Sequence, residues 1–239
     1  MLSKREILIL GAILFLIINF AVLYSEESEQ GNLCFYLPKT NKPWKLSFNT
    51  GLSLTKLPTH IVEEEIDVSP LVFANAKLGL PWNVTAGIYF ATNYISNIGT
   101  ISLMYHINSG DFYLAAGCNG SMWFGHLEME SIRLKSYGVL IKPAFSAGYD
   151  FGDITLSSTF EVQYGFMKTF SDDALLGNFK QPRSGYTLKV YVEQPLWNEN
   201  WVVLGVGLNY STFYYQSWLT YSAVKNFLLY PEFIFGFTL

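Results

Sequence analysis

The sequence predicts an all-β fold: an antiparallel up-and-down transmembrane β-barrel of about ten strands. Three observations predict it: two-residue alternation from residue 44 to the end, an apolar parity almost free of charge, and connections that alternate between tight and long. Half of the 239 residues are apolar and 17% are aromatic, while 14% are charged. Soluble domains carry roughly 25% charge, so this chain has little with which to cover a water-facing surface. The net charge of −4 and the lack of any basic stripe argue against nucleic acid as a partner.

The first stretch carries an address. Lys4 and Arg5 precede an apolar run from Ile7 to Leu23, and Ser25 is followed by the polar residues Glu26–Glu27–Ser28–Glu29–Gln30. This order predicts a secretory signal peptide over residues 1–25. The run sits at the lower limit of bilayer-spanning length, so an uncleaved anchor is the alternative. Residues 26–43 are then a short periplasmic N-terminal segment, and residues 44–239 the barrel. Cys34 stands past the apolar run, without the small residues that precede a lipidated cysteine. It lies before the first strand and Cys118 falls mid-strand on an apolar face, so both are expected as free thiols rather than a disulfide.

Each strand is predicted by one apolar parity. The first holds Trp44, Leu46, Phe48, Leu52 and Leu54, with Lys45, Ser47, Asn49, Gly51 and Ser53 on the other face. The next apolar sets are Val72–Ala74–Ala76–Leu78–Leu80, Val84–Ala86–Ile88–Phe90, Ile101–Leu103–Tyr105–Ile107, and Phe112–Leu114–Ala116–Cys118–Met122–Phe124. They are followed by Tyr137–Val139–Ile141–Phe145–Ala147–Tyr149, Ile154–Leu156–Phe160–Val162–Tyr164–Phe166 and Tyr186–Leu188–Val190–Val192. Val202–Leu204–Val206–Leu208–Tyr210 and Phe227–Leu229–Phe233–Phe235–Phe237–Leu239 complete the set.

Tight connections are predicted at Pro81–Trp82–Asn83, Asn108–Ser109–Gly110–Asp111, Asp150–Phe151–Gly152–Asp153 and Trp197–Asn198–Glu199–Asn200, all rich in turn-forming residues. Between them, longer polar connections are expected near 56–69, 125–135, 171–183 and 215–226, with a short one near 95–97. Tight turns on one rim and long loops on the other place turns in the periplasm and loops outside. An even strand count puts both termini on the periplasmic side, where an exported N-terminus begins.

A soluble lipocalin-like carrier is the architectural alternative, and charge separates the two. Across all strands the apolar parity holds no charge except Lys168, near a loop-side strand end where its stem can snorkel. The opposite parity is small, polar and mostly neutral, including Ser47, Asn49, Thr85, Thr100, Ser102, Asn119, Ser146, Thr155, Ser157, Gln163 and Asn209. Such a face suits a lumen, whereas an outer surface in water would hold many more Lys and Glu. Trp44, Trp82, Trp197 and Trp201 at the turn-side rim, with Trp123 and Trp218 near the loop side, are expected as interfacial girdles.

The terminal run Phe233–Ile234–Phe235–Gly236–Phe237–Thr238–Leu239 resembles the C-terminal β-signal of bacterial outer-membrane β-barrel proteins, with Leu239 in place of the usual terminal Phe. Together with the alternation, it makes nearly the whole chain similar to the small OmpA- or OmpW-like or porin-like class. The resemblance implies the barrel-assembly machinery and outer-membrane lipid as partners, with Phe233, Phe235, Phe237 and Leu239 as the assembly signal. It also implies a Gram-negative outer membrane, which the signal peptide predicts is reached by the general secretory route.

The lumen parity contains Lys45, Lys77, Lys142, Glu161, Lys189, Glu193 and Glu232. In a narrow barrel these must be paired or hydrated. They either salt-bridge into a plug or line a narrow channel that sorts small polar solutes. The acidic run Glu63, Glu64, Glu65 and Asp67 falls in a predicted external loop, as a solvated surface or a divalent-cation contact. His60 and His126 also fall in loops, the latter near Glu128 and Glu130. His106 projects inward near the turn side, far from outer-leaflet substrates. Ser146 in Ala144–Phe145–Ser146–Ala147–Gly148 partly matches a nucleophile elbow, but in a strand rather than at a strand-to-helix turn. No metal-binding or nucleotide motif is present. The expectation is a non-enzymatic protein without cofactor or metal, structural or interacting at the cell surface. A narrow pore is the alternative, and a surface enzyme a weaker third.

Overall fold

The computed structural model describes residues 34–58, 68–93, 95–129, 132–171, 174–196, 200–212 and 227–238. Among them are β1 (Leu46–Lys56), β2 (Val68–Leu80), β3 (Val84–Thr92), β4 (Ser96–Ser109), β5 (Phe112–Met129), β6 (Ile132–Asp150), β7 (Thr155–Ser171), β8 (Ala174–Pro195), β9 (Trp201–Ser211) and β10 (Leu228–Thr238). Each strand pairs antiparallel with its sequence neighbours, and β10 returns to β1 from Asn49↔Thr238 to Thr55↔Glu232, closing the barrel. Closure satisfies the strand edges that an open sheet would leave bare.

The predicted parity decides which side chains face out. Val72, Ile88, Ile101, Leu103, Met122, Phe124, Phe145 and Leu204 are exposed on the outside, while Asn49, Thr85, Ser121, Ser157, Gln163 and Asn209 are buried inside. An apolar exterior of this extent is far larger than the patches that water-soluble monomers expose. Lys168, as predicted, lies exposed on that outer face. Cys34 and Cys118 are both free thiols.

The tight turns form as predicted at 81–83 and 110–111. Trp82 and Asn83 take left-handed backbone angles (φ 62° and 58°), and so does Gly110 (φ 60°), where glycine carries no steric cost. The short connection near 95–97 is found at residues 93–95.

Two expected loops are instead ladder. β5, β6, β7 and β8 contain 18, 19, 17 and 22 residues, whereas about 9–11 cross a bilayer when tilted. β4 ends opposite Gly125 and β9 ends opposite Gly185, so β5–β8 rise past both neighbours on the loop side. The stretches 125–135 and 171–183 are therefore mainly paired strand, joined through residues 130–131 and 172–173. Beyond the hydrocarbon a strand no longer needs an apolar face, so main-chain pairing continues where side-chain alternation fades. Of the other two expected loops, residues 59–67 and 213–226 lie outside the described residues.

The interior departs from the predicted polar lining in one respect. Leu71, Phe73, Ala91, Ile98, Trp123, Leu140, Met167, Tyr191, Val203 and Ile234 point inward and form one buried apolar cluster. Trp123 is 2% exposed and Trp201 6%, so neither belongs to an interfacial girdle, whereas Trp44 at 70% and Trp82 at 87% face outward at the turn side. Parity explains the difference, because Trp123 and Trp201 share the lumen register of Ser121 and Val203. Trp197 and Trp218 lie outside the described residues.

Candidate functional site

The turn-side mouth is filled by the residues that precede β1. Cys34–Phe35–Tyr36–Leu37–Pro38 has no alternation to recruit it into the sheet, but it has apolar side chains to bury. Phe35 and Leu37 are buried, and Leu37 packs with Cys34, Tyr113 and Trp201. The Glu193 carboxylate on β8 accepts three consecutive main-chain N–H groups, from Phe35 (2.7 Å), Tyr36 (2.8 Å) and Leu37 (2.9 Å). Successive amides converging on one anion form a nest, and the charge-assisted bonds offset the cost of burying the carboxylate.

Other strands grip the same segment. Lys77 on β2 donates through Nζ to the Phe35 carbonyl and lies 4.4 Å from the centre of the Phe35 ring. Tyr36 stacks on Tyr191 with centroids 3.9 Å apart, and its hydroxyl meets Asn49 Oδ1 at 3.2 Å. His106 Nδ1 on β4 lies 2.9 Å from the Pro38 carbonyl oxygen. Asn41 donates to the Ser47 hydroxyl at 3.0 Å. Burial, with the nearby Glu193 charge adding to it, pushes the Cys34 thiol up to about 12. That thiol is inert near neutral pH.

Above the plug lies a chamber of about 190 Å³ with a mixed lining, polar at Lys77, Asn119, Lys142 and Glu161 and apolar at Leu71, Phe73 and Ile98, with Tyr36 in its wall. This is room for a few waters. Lys142 Nζ stands 3.8 Å from Glu161 Oε2, and Asn119 donates to Glu161 Oε1. Across the chamber Lys189 Nζ stands 3.2 Å from Glu232 Oε2. Hydroxyls pair as Thr100 with Ser121 and Ser146 with Thr159, both at 2.8 Å. Nearer the loop side Gln163 donates to Thr187 at 2.6 Å, and Thr187 donates to Asn209 at 2.9 Å.

Six of the seven predicted lumen charges are thus engaged inside: Lys142 with Glu161, Lys189 with Glu232, and Lys77 and Glu193 through the plug. Lys45 sits half-buried at the rim just before β1, and its carbonyl accepts the Gly79 N–H at 3.0 Å. Phe233 and Phe235 are exposed on the outer face of β10, with Phe237 edge-on to Phe235 at 4.9 Å. Glu63, Glu64, Glu65, Asp67, His60 and Leu239 lie outside the described residues. His126 Nε2 and Arg133 Nε approach Glu128 at 3.8 and 3.7 Å, all on the raised β5–β6 hairpin.

The plug itself escaped the alternation reading. The ladder gave no signal that singles it out: Glu193 faces Thr155 and Val203 and Lys77 faces Ser47 and Gly87, but Lys189 faces Thr159 and Gly207 and Glu232 faces Thr55 and Gly207, and those two charges pair with each other inside the lumen.

No family model matches the chain, and no curated protein does. Among solved structures, the outer membrane protease OmpT from Escherichia coli is 11% identical, with 82% of this chain and 93% of that chain covered and a TM-score of 0.49. Neisserial surface protein A is 12% identical, covering 81% and 96%, with a TM-score of 0.38. Outer membrane phospholipase A from Escherichia coli is 11% identical, covering 90% and 94%, with a TM-score of 0.37. Likeness at this level extends no further than fold, and the barrel stands on this chain's own strand ladder.

Proposed function

We propose that the chain is an integral outer-membrane barrel without enzymatic activity, its lumen closed, which meets its surroundings through the sheet that β5–β8 raise on the loop side. The observation that carries this reading is the plug. Residues 34–42 are bonded to β1, β2, β4 and β8 across the mouth, so the turn-side opening holds protein rather than a water path. In this reading the turn side faces the periplasm, the raised sheet faces outward, and the barrel-assembly machinery inserts the chain by its Phe233, Phe235, Phe237 and Leu239 signal after export by the general secretory route.

Support against a surface enzyme comes from the candidate groups themselves. Ser146 is bonded to the Thr159 hydroxyl inside the lumen, and His126 and Glu128 are exposed rather than enclosed in a cleft. The chamber and its two ion pairs favour a narrow solute channel as the second reading. Planar-bilayer recording separates the two. The closed-barrel reading expects no steady openings at high protein load, and reproducible unitary currents from the intact chain would overturn it in favour of the channel.

A further inference from the structure

The segment across the turn-side mouth is fastened by ionisable side chains rather than by a ladder. Three strands each send one to its main chain. Glu193 on β8 accepts the Phe35, Tyr36 and Leu37 amides, Lys77 on β2 donates to the Phe35 carbonyl, and His106 on β4 meets the Pro38 carbonyl. Among the described residues, the main-chain bonding of residues 34–41 to other main chain is a single local bond, from the Lys39 N–H to the Leu37 carbonyl.

This fastening depends on the charge of Glu193. Oε1 accepts from Phe35 and Oε2 from Tyr36 and Leu37, so both oxygens must be acceptors. A proton on either turns it into a donor facing a donor, which strips one or two amides of their acceptor and removes the charge assistance from the rest. Lys77 is the cation that faces Glu193, and neutralising the carboxylate leaves that ammonium uncompensated.

His106 works in the same direction. The Pro38 oxygen can only accept, so Nδ1 carries the hydrogen of the neutral ring and Nε2 is bare. That Nε2 is buried and has no hydrogen-bond partner among the described residues, and a proton there sets a second cation near Lys77. The other titratable groups near Glu193 are Cys34, with Lys39 and Asp150 around it, and Tyr191. Directly across from Glu193 the ladder places Thr155 and Val203, and β5 places Ala115 across from His106.

We infer that residues 34–41 form an acid-released clasp, seated while Glu193 is ionised and leaving the mouth when it takes up a proton, which opens the turn-side end of the chamber. The inference rests on the closed-lumen reading and adds the condition under which that closure ends. The barrel outlasts the release, because its strands are paired through the main chain and Glu161 and Glu232 pair with strand lysines rather than with the segment.

The test attaches a nitroxide at Lys39→Cys in a chain that also carries C34A and C118A, folded in detergent micelles. Its spectrum is followed from about pH 7.5 to about pH 4, the span over which His and carboxylates take up protons, with heat-modifiable migration read at each step. The label should be immobilised at the upper end. On acidification a mobile component should grow, its ratio to the immobilised one rising about tenfold or more, as the loss of one charged hydrogen bond produces. The change should reverse on neutralisation, with the barrel still folded. Glu193→Gln should show the mobile component at every pH, whereas Glu161→Gln, which removes a carboxylate bonded to Asn119 and Lys142, should titrate like its parent. A label that stays immobilised, or a mobile component that appears only as the folded barrel is lost, overturns the clasp. So does an acid transition that survives in E193Q or vanishes in E161Q, and should E193Q not fold, the parent spectrum decides alone. Unitary currents near neutral pH from a chain whose label is immobilised would overturn the closed lumen instead and leave the clasp standing.

Discussion

At the scale of single residues, Glu193 concentrates more of the structure than any other group in the lumen. Its two oxygens hold Phe35, Tyr36 and Leu37 by main-chain amides, and hydrogen bonds to a charged group contribute about 1.5–3 kcal/mol each to stability. Glu193→Gln keeps the size but puts an NH₂ donor where an oxygen accepted an N–H, so at least one amide loses its acceptor. The expected cost is about 2–4 kcal/mol, seen as a lower urea midpoint for loss of heat-modifiable migration. An unchanged midpoint would show that the segment is held by its apolar side chains alone. Cys34 reports on the same contact. Because its thiol is held up to about 12 by burial and by Glu193, little thiolate exists at pH 8. Iodoacetamide should leave it unmodified in the folded chain and alkylate it in urea, and rapid labelling of folded protein would contradict the packing of Cys34 against Tyr113 and Trp201.

At the scale of strands, the same alternation that places side chains also sets which glycines are required. On β6, a methyl at Gly138 would run into the Trp123 indole and the Phe166 carbonyl, whereas one at Gly120 on β5 meets open space on the outer face. Gly138→Ala should therefore destabilise the barrel by about 1–3 kcal/mol, the range for overpacking a filled interior. Gly120→Ala should be neutral within about 0.5 kcal/mol, as for a site away from packing. Equal effects in a paired urea titration would refute the inward setting of Trp123. These strands also show what was legible beforehand. Period-two parity identified the outer face of every strand and the inward charges, because lipid on one side and a lumen on the other leave different residue chemistry on the two faces. Residue type and closeness to strand ends misassigned Trp123 and Trp201 to a girdle, although their parity already put both inside. Parity stopped short on β5–β8, where pairing outlasts the hydrocarbon. It could not find the plug, since contacts made by main-chain amides, as those of Phe35 and Tyr36 to Glu193, leave no side-chain pattern to detect.

At the scale of the molecule, the closed-barrel proposal gives the lumen two barriers. Residues 34–42 cover the turn-side end of the chamber, with Tyr36 forming part of its wall. The inward cluster draws one or more residues from each of β2 to β10, with Tyr36 and Tyr89 packed against it, and most of it belongs to the strands rather than to the plug. Removing residues 34–42 should thus open the chamber to water on the turn side while the strand-borne apolar residues still obstruct passage. Ser146, which is buried and lines the chamber, can report this once replaced by Cys in a chain lacking the native thiols. A charged, membrane-impermeant methanethiosulfonate should label S146C slowly in the full-length chain and at least tenfold faster after the deletion, with no unitary current in either. The rate ratio tests the plug and the missing current tests the cluster. Equal labelling rates would mean that the segment does not guard the chamber, and currents in the deleted chain alone would make residues 34–42 the sole barrier.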